Sequence, residues 1–295
     1  MDARQLEYFL AVADHGGMNR AAAALHLAQP SLSQSIRNLE RELGTLLFHR
    51  IGRRLELSEA GRAMIEPARQ VIRDLETTRA TVQSVTGLRT GRLEIAAMPS
   101  PAVQPLSRMV GEYLRRYPAM RVEVRAVPTA EAAVEQVRTG SVEIGIVGTA
   151  APLRSTEVRV LPVERQRFVV LAPPDGPLTP GRATTLDELA GMTIVVAPPG
   201  TRARQLLQEL RDRGVPVHFG VEVAHREAIL PLVLQGTGVA VVTDAWAPLA
   251  RAAGALVLDL EPAEHLHISL VTRRAPLTPG ASAFVEGALP RPADR

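Results

Sequence analysis

The chain has 295 residues, 46% hydrophobic and 22% charged, a globular composition long enough for two or three compact units. It has no cysteine, and its 34 basic residues are all arginine, which excludes disulfides, thiolate metal sites, a P-loop ammonium and Schiff-base chemistry. Net charge is only +3, and residues 1–90 hold 12 Arg against 10 Asp and Glu, so nucleic-acid binding would have to rest on local clustering. No apolar run reaches the roughly 18 residues of a membrane helix. Residues 1–20 lack the basic start and small-residue cleavage site of an export signal, so a cytoplasmic chain without a membrane partner is expected.

In chain order, Leu6, Phe9, Leu10 and Ala13 share one helical face, predicting a helix from Met1 to about Asp14 that Gly16-Gly17 stop. An alanine-rich helix follows from Met18 to Leu25, capped by Gly17 or Asn19. In the next helix Leu32, Ile36, Leu39 and Leu43 are spaced 4, 3 and 4, one buried stripe. Pro30 suits its first position and Gly44 its left-handed end. The stripe turns Ser31, Gln34, Asn38 and Arg41 outward. Gln29, Ser31, Ser33 and Gln34 are short or amide side chains suited to base edges and phosphates, placed in the turn that a recognition helix presents to the major groove. Pro30 and Arg37 complete that candidate DNA-contacting set.

Leu46-Leu47-Phe48 and Leu55-Glu56-Leu57 read as two short strands around the cluster His49–Arg54. Such a hairpin is a wing whose tip would carry Arg50, Arg53 and Arg54 to the sugar-phosphate backbone or a minor groove. Ser58 then caps a long helix to about Val85. Met64, Ala68, Val71, Leu75, Thr78, Val82 and Val85 are spaced alternately 4 and 3 along it, a heptad seam that predicts dimerisation through Met64, Ala68, Val71, Leu75 and Val82. Thr78 weakens the seam and Pro67 should bend the helix. Two recognition helices could then read two half-sites.

Asn19-Arg20-Ala21-Ala22, Leu25–Ser33, Ile36-Arg37-Asn38-Leu39-Glu40, Leu43-Gly44, Leu47-Phe48-His49-Arg50 and Leu57-Ser58-Glu59-Ala60-Gly61 occur in the order of a known family. With Arg4, Leu6 and Phe9, this long run resembles the DNA-binding region of LysR-type transcriptional regulators. Two positions depart from the family pattern: Gly17 stands where a serine cap is common, and Gln34 where arginine is frequent.

From Arg92 the rhythm changes to strands alternating with helices: Leu93–Met98, Pro101–Tyr117, Arg121–Val127, Thr129–Thr139 and Val142–Val147. That order implies a parallel sheet between helices. A second set runs through Phe168–Ala172, Leu186–Ala190, Thr193–Ala197, Thr201–Arg213, Val217–Val223, Glu227–Leu234 and Val239–Val242, with a loop at Pro173–Gly181. His265–Thr272 is a late strand before a short final helix. Two α/β lobes with a cleft are expected. The LysR-type resemblance, looser here, implies a periplasmic-binding-protein-like effector domain in which the chain crosses between lobes near Leu161-Pro162-Val163 and Glu264–Ile268. The expected organisation is α/β overall: a winged helix-turn-helix over 1–60, a linker and dimerisation helix over 61–90, and an effector domain over 91–295. Lobe I would take about 91–162 and 267–295, and lobe II about 163–266.

Ligands of such sheets lie beyond the carboxyl ends of strands, against helix N-termini. That rule selects Ser100, Thr129, Thr201, Arg202 and Thr243 as effector-binding candidates, converging on a small carboxylate or other polar anion; each Ser or Thr could equally cap its own helix. Enzyme motifs are poor: Gly236-Thr237-Gly238 precedes a strand and lacks a third glycine, and there is no G-x-S-x-G elbow. His265 and His267 share a strand face without a nearby third ligand, so no metal and no cofactor is expected. The resulting expectation is a regulator, not an enzyme, that binds a double-stranded DNA operator and a small-molecule effector. It would work as a dimer, or as the dimer of dimers the resemblance suggests, with RNA polymerase a further candidate partner. A cytosolic solute-binding protein or an α/β enzyme using the cleft are the alternatives.

Overall fold

A computed structural model describes residues 1–51, 54–84 and 91–289. The first helix, α1 (Ala3–His15), opens with a capping box. The Asp2 carboxylate accepts the Gln5 N–H at 2.8 Å, and the Gln5 side chain accepts the Asp2 N–H at 2.9 Å. α2 (Met18–Ala24) starts from Gly17, which supplies no side-chain cap. α3 (Gln29–Leu43) begins one residue before Pro30 and ends on Gly44 in the left-handed region, φ 69°. Leu32, Ile36 and Leu39 are buried against Leu6, Phe9, Val12 and Ala21. Leu43 departs from the expected stripe, being 40% exposed. The chain turns at Gly44, and Leu47 closes the core in its place.

β1 (Phe48–Ile51) and β2 (Arg54–Leu57) form the expected antiparallel hairpin, with Phe48 opposite Leu57 and Ile51 opposite Arg54. The Phe48 ring lies 5.5 Å from that of Phe9, fixing the wing's base to α1. Ser58 then starts α4 (Glu59–Ser84), its hydroxyl accepting the Gly61 N–H at 2.9 Å and donating to the Leu46 carbonyl at 2.6 Å. Only glycine fits at position 61, because a Cβ there would lie 2.1 Å from the Leu47 carbonyl oxygen.

The C-terminal α/β region is built from β3 (Gly91–Ala97), α5 (Pro99–Pro101), α6 (Ser107–Arg116), β4 (Met120–Ala126), α7 (Ala130–Arg138), β5 (Ile144–Thr149) and β6 (Arg159–Ala172). Next come β7 (Thr193–Val196), α8 (Arg202–Asp212), β8 (His218–Glu222), α9 (Ile229–Leu234) and β9 (Ala240–Thr243). α10 (Ala247–Ala252), β10 (Leu256–Asp259), β11 (His265–Thr272) and α11 (Pro279–Ala288) complete it. β3 is parallel to β4 and β5, but β11 enters antiparallel between β5 and β6, so the sheet is mixed where the alternation alone implied a parallel one.

β6 joins the lobes. Its first part, Arg159–Arg167, pairs with β11, and from Phe168 onward it pairs with β9 and β10. The change of partner therefore comes later than Leu161-Pro162-Val163. The ladder slips opposite Ile268/Ser269, where Glu164 and Pro162 are successive partners, so Val163 is the extra residue of a bulge beside Pro162 and the pairing continues through it. The return passes Glu264, whose carbonyl accepts the Phe168 N–H at 2.8 Å. The helix expected over Pro101–Tyr117 is broken at Gln104, whose backbone is extended (φ −147°, ψ 141°) ahead of Pro105. Its carbonyl, left out of the helical ladder, accepts from Gln166 Nε2 at 2.7 Å.

Candidate nucleic-acid interface and interlobe cavity

On α3, Pro30, Ser31, Gln34 and Arg37 are exposed and Gln29 is half-buried. The outer side chains brace one another: Arg37 donates to Gln34 Oε1 at 2.7 Å, and Gln34 Nε2 donates to Asn38 Oδ1 at 2.9 Å. Ser31, Gln34 and Asn38 line a shallow depression with Arg4 and Gln5 of α1. Ser33 is a correction. It is only 7% exposed, and its hydroxyl accepts from Gln29 Nε2 at 2.8 Å. Position 33 stands one turn before Ile36 and next to Leu32, so it joins the core face of α3 and not its exposed face. Arg53 lies outside the described residues, as do the side chains of Arg50 and Arg54.

α4 is divided. Ala68 is buried in the head's own core, with Met64, Ile65 and Ile72 packed beside it. Val71 and Leu75 are 43% and 39% exposed. The heptad pattern is thus not one continuous free seam: its first part holds the head together, and among the described residues Val71, Leu75 and Thr78 stay outward. The side chain of Val82, and Val85 altogether, lie outside the described residues.

Ser100, Thr129, Thr201, Arg202 and Thr243 all line one cavity of about 470 Å³ between the lobes. Thr129 and Thr201 cap α7 and α8, accepting the N–H groups of Ala132 and Arg204, each at 3.2 Å. An accepting hydroxyl keeps its own proton to donate, so capping and ligand contact are compatible. Arg202 is already engaged, by Glu209 at 2.6 Å and Glu264 at 3.1 Å. Thr243 is 1% exposed, and its Oγ1 has no hydrogen-bond partner among the described residues. Met98, Phe168, Ile229, Val241, Trp246 and Leu266 give the cavity apolar walls.

Arg226 was missed from the sequence. It follows β8 and precedes α9, the same strand-end position that selected Thr243 and Thr201, and its Nη1 donates to Ser100 Oγ at 2.7 Å across the lobes. Burial alone holds its pKa below the usual guanidinium value.

A family model for the bacterial regulatory helix-turn-helix of the lysR family matches residues 3–62, and one for the LysR substrate binding domain matches residues 86–291. The chain belongs to the LysR family. A RuBisCO operon transcriptional regulator of Allochromatium vinosum is 33% identical over 287 residues, covering 96% of this chain and 94% of the relative. An SDS degradation transcriptional activation protein of Pseudomonas sp. (strain ATCC 19151) is 28% identical over 290 residues, with 96% and 94% covered. In fold, the chain resembles a full-length OxyR from Pseudomonas aeruginosa, with TM-score 0.75, 23% identity and 98% and 93% covered. It also resembles full-length CbnR complexed with its target DNA, with TM-score 0.67, 23% identity and 98% and 99% covered. The chain is therefore a LysR-family transcriptional regulator with a helix-turn-helix DNA-binding domain and an effector-binding domain. Among the described residues no helix is long and apolar enough to cross a membrane.

In this LysR-family chain α4 also docks on the effector domain. Arg73, 8% exposed, donates to the Thr139 carbonyl at 3.1 Å and to Gln70 Oε1 at 2.8 Å. Arg273, which leads away from β11, donates to that same Gln70 oxygen at 3.0 Å. Arg69 bonds Ser141, and Glu66 pairs with Arg138 at 2.6 Å. Burial, with the like charge of Arg273 beside it, pushes the Arg73 guanidinium down to about 10. Gly140 makes room for the contact: its φ is +68°, and a Cβ would fall 1.6 Å from the Arg73 guanidinium.

Proposed function

We propose that this regulator reads its operator with the exposed start of α3. Gln29, Pro30, Ser31, Gln34 and Arg37 approach base edges and neighbouring phosphates in the major groove, while Arg50, Arg53 and Arg54 of the wing hold the backbone. The observation that carries the reading is an outward face of α3 that is polar and exposed, opposite an inner face built on Leu32, Ile36 and Leu39, with the basic hairpin directly after it. Val71 and Leu75 join two copies, so that two such helices address two half-sites, and larger assemblies such as a dimer of dimers build on that pair. The cleft between the lobes, with Ser100, Thr129, Thr201 and Thr243, holds a small-molecule effector. Arg202 keeps Glu209 and Glu264 and shapes the rim instead of carrying the ligand's charge.

Effector binding acts by population shift: a ligand that favours one arrangement of the lobes biases the α4 contact at Arg73, Gln70 and Arg273, and through it the heads. The cleft is a binding site and not a site of turnover, and the protein works in the cytoplasm. The test is selection of genomic fragments by the purified full chain. Enrichment of sites with two related halves is expected, whereas recovery no better than bulk DNA would contradict the reading. Leu75→Asp should lower the dissociation temperature or raise the dissociation concentration of the dimer in sedimentation, with the head still folded.

A further inference from the structure

The interlobe cavity has an uneven charge inventory. Arg202 is neutralised by two carboxylates. Glu131 lines the cavity from the first turn of α7 and is exposed, where water screens it. Arg226 is different. It reaches in from the segment after β8, is largely removed from water, and has no carboxylate partner among the described residues; its one side-chain bond there is to Ser100. A guanidinium taken from water without an anion is a standing cost, and an entering anion relieves it. Ser100 is 7% exposed and accepts from Arg226, so its own proton is free to donate. Thr243, 1% exposed, adds a hydroxyl with no partner among the described residues. Around these groups the walls are apolar, formed by Met98, Phe168, Trp246 and Leu266.

We infer that the cleft takes a small organic anion with an apolar body, its charged end received by Arg226 and completed by the hydroxyls of Ser100 and Thr243. This rests on the cleft being the effector site; to the anion expected from the strand-end hydroxyls it adds the apolar body and the residue that selects the charge. A carboxylate suits the planar fork of the guanidinium, which can grip both oxygens. Arg226 belongs to one lobe and Ser100 to the other, so an anion shared between them adds a bond across the cleft and favours the closed arrangement.

Trp246 is the chain's single tryptophan and lines this cavity, so its emission reports occupancy directly. The test titrates the full chain with cyclohexanecarboxylate and its neutral counterpart cyclohexanecarboxamide, following Trp246 emission and the thermal midpoint together. Binding of the carboxylate at least tenfold tighter than the amide is expected. Arg226→Gln should bring the two together, and Arg226→Lys should restore part of the preference, which separates a charge role from a packing one. Equal binding of carboxylate and amide by the unaltered protein would overturn the anion assignment and leave the cleft standing as a ligand site. So would an unchanged preference in a folded Arg226→Gln protein. No response to either compound at millimolar concentration would also overturn the inference, while the DNA selection above tests the regulator reading independently.

Discussion

The outer face of α3 and the interlobe cavity are both polar surfaces, but they are polar in opposite ways. On α3 the side chains are exposed, come from one helix, and satisfy one another through the chain Arg37–Gln34–Asn38. In the cavity they come from segments scattered between Ser100 and Thr243, are buried or half-buried, and include a hydroxyl and a guanidinium whose capacity is incompletely used. A surface of the first kind can exchange its internal bonds for base edges in a wet groove at little cost. A site of the second kind holds desolvated groups that a fitting small molecule relieves, so it discriminates by chemistry and not by shape alone.

That contrast can be broken most forcefully in the head's core. Leu32→Ala removes a fully buried side chain packed with Leu6 and Phe9 and should cost about 2–5 kcal/mol of head stability. DNA binding should fall with it in a gel-shift assay, while Trp246 emission stays unchanged. A matching loss in the cavity would mean the two regions share one cooperative unit. Smaller is the effect of Gly140→Ala at the junction between them. The added methyl collides with the buried Arg73 guanidinium on a backbone that favours glycine, and should cost about 1–3 kcal/mol. Limited proteolysis should then cut between α4 and the effector domain faster, with each part still folded. The wing offers the smallest effect. Arg53→Ala should weaken all duplex sequences alike and lower the slope of log K against log salt by about 1; an altered base preference without a slope change would remove the phosphate role.

How much of each region was legible follows from the range of the interactions that build it. The head is governed by local period: Leu32, Ile36 and Leu39 declare their face, and Gly44 and Ser58 declare the ends of elements. Its errors are also local. Ser33 lies at the margin between the two faces, where periodicity alone does not decide, and the bond from Gln29 settles it inward. Spacing makes the seam on α4 a single stripe but cannot say which neighbour covers it; Met64 and Ala68 turn to the head, Val71 and Leu75 do not. In the effector domain the strand-end rule placed Ser100, Thr129, Thr201, Arg202 and Thr243 on one cavity. It could not show that Arg202 is already paired or that Arg226 reaches Ser100 across 126 positions of sequence. Those are tertiary facts. The mixed sheet has the same origin, since β11 finds its slot between β5 and β6 only after the chain has passed through the second lobe.

The most direct test of the account is the base preference of the purified protein in a selection from randomised duplexes, measured for the unaltered chain, Gln34→Ala and Ser33→Ala side by side. Gln34→Ala should relax or change the preference at one or two positions of each half-site by about 1–3 kcal/mol, and Ser33→Ala should leave the preferred sequence as it was. Identical preferences in the unaltered and Gln34→Ala proteins, or a change produced by Ser33→Ala alone, would contradict the placement of the outer face of α3 in the groove.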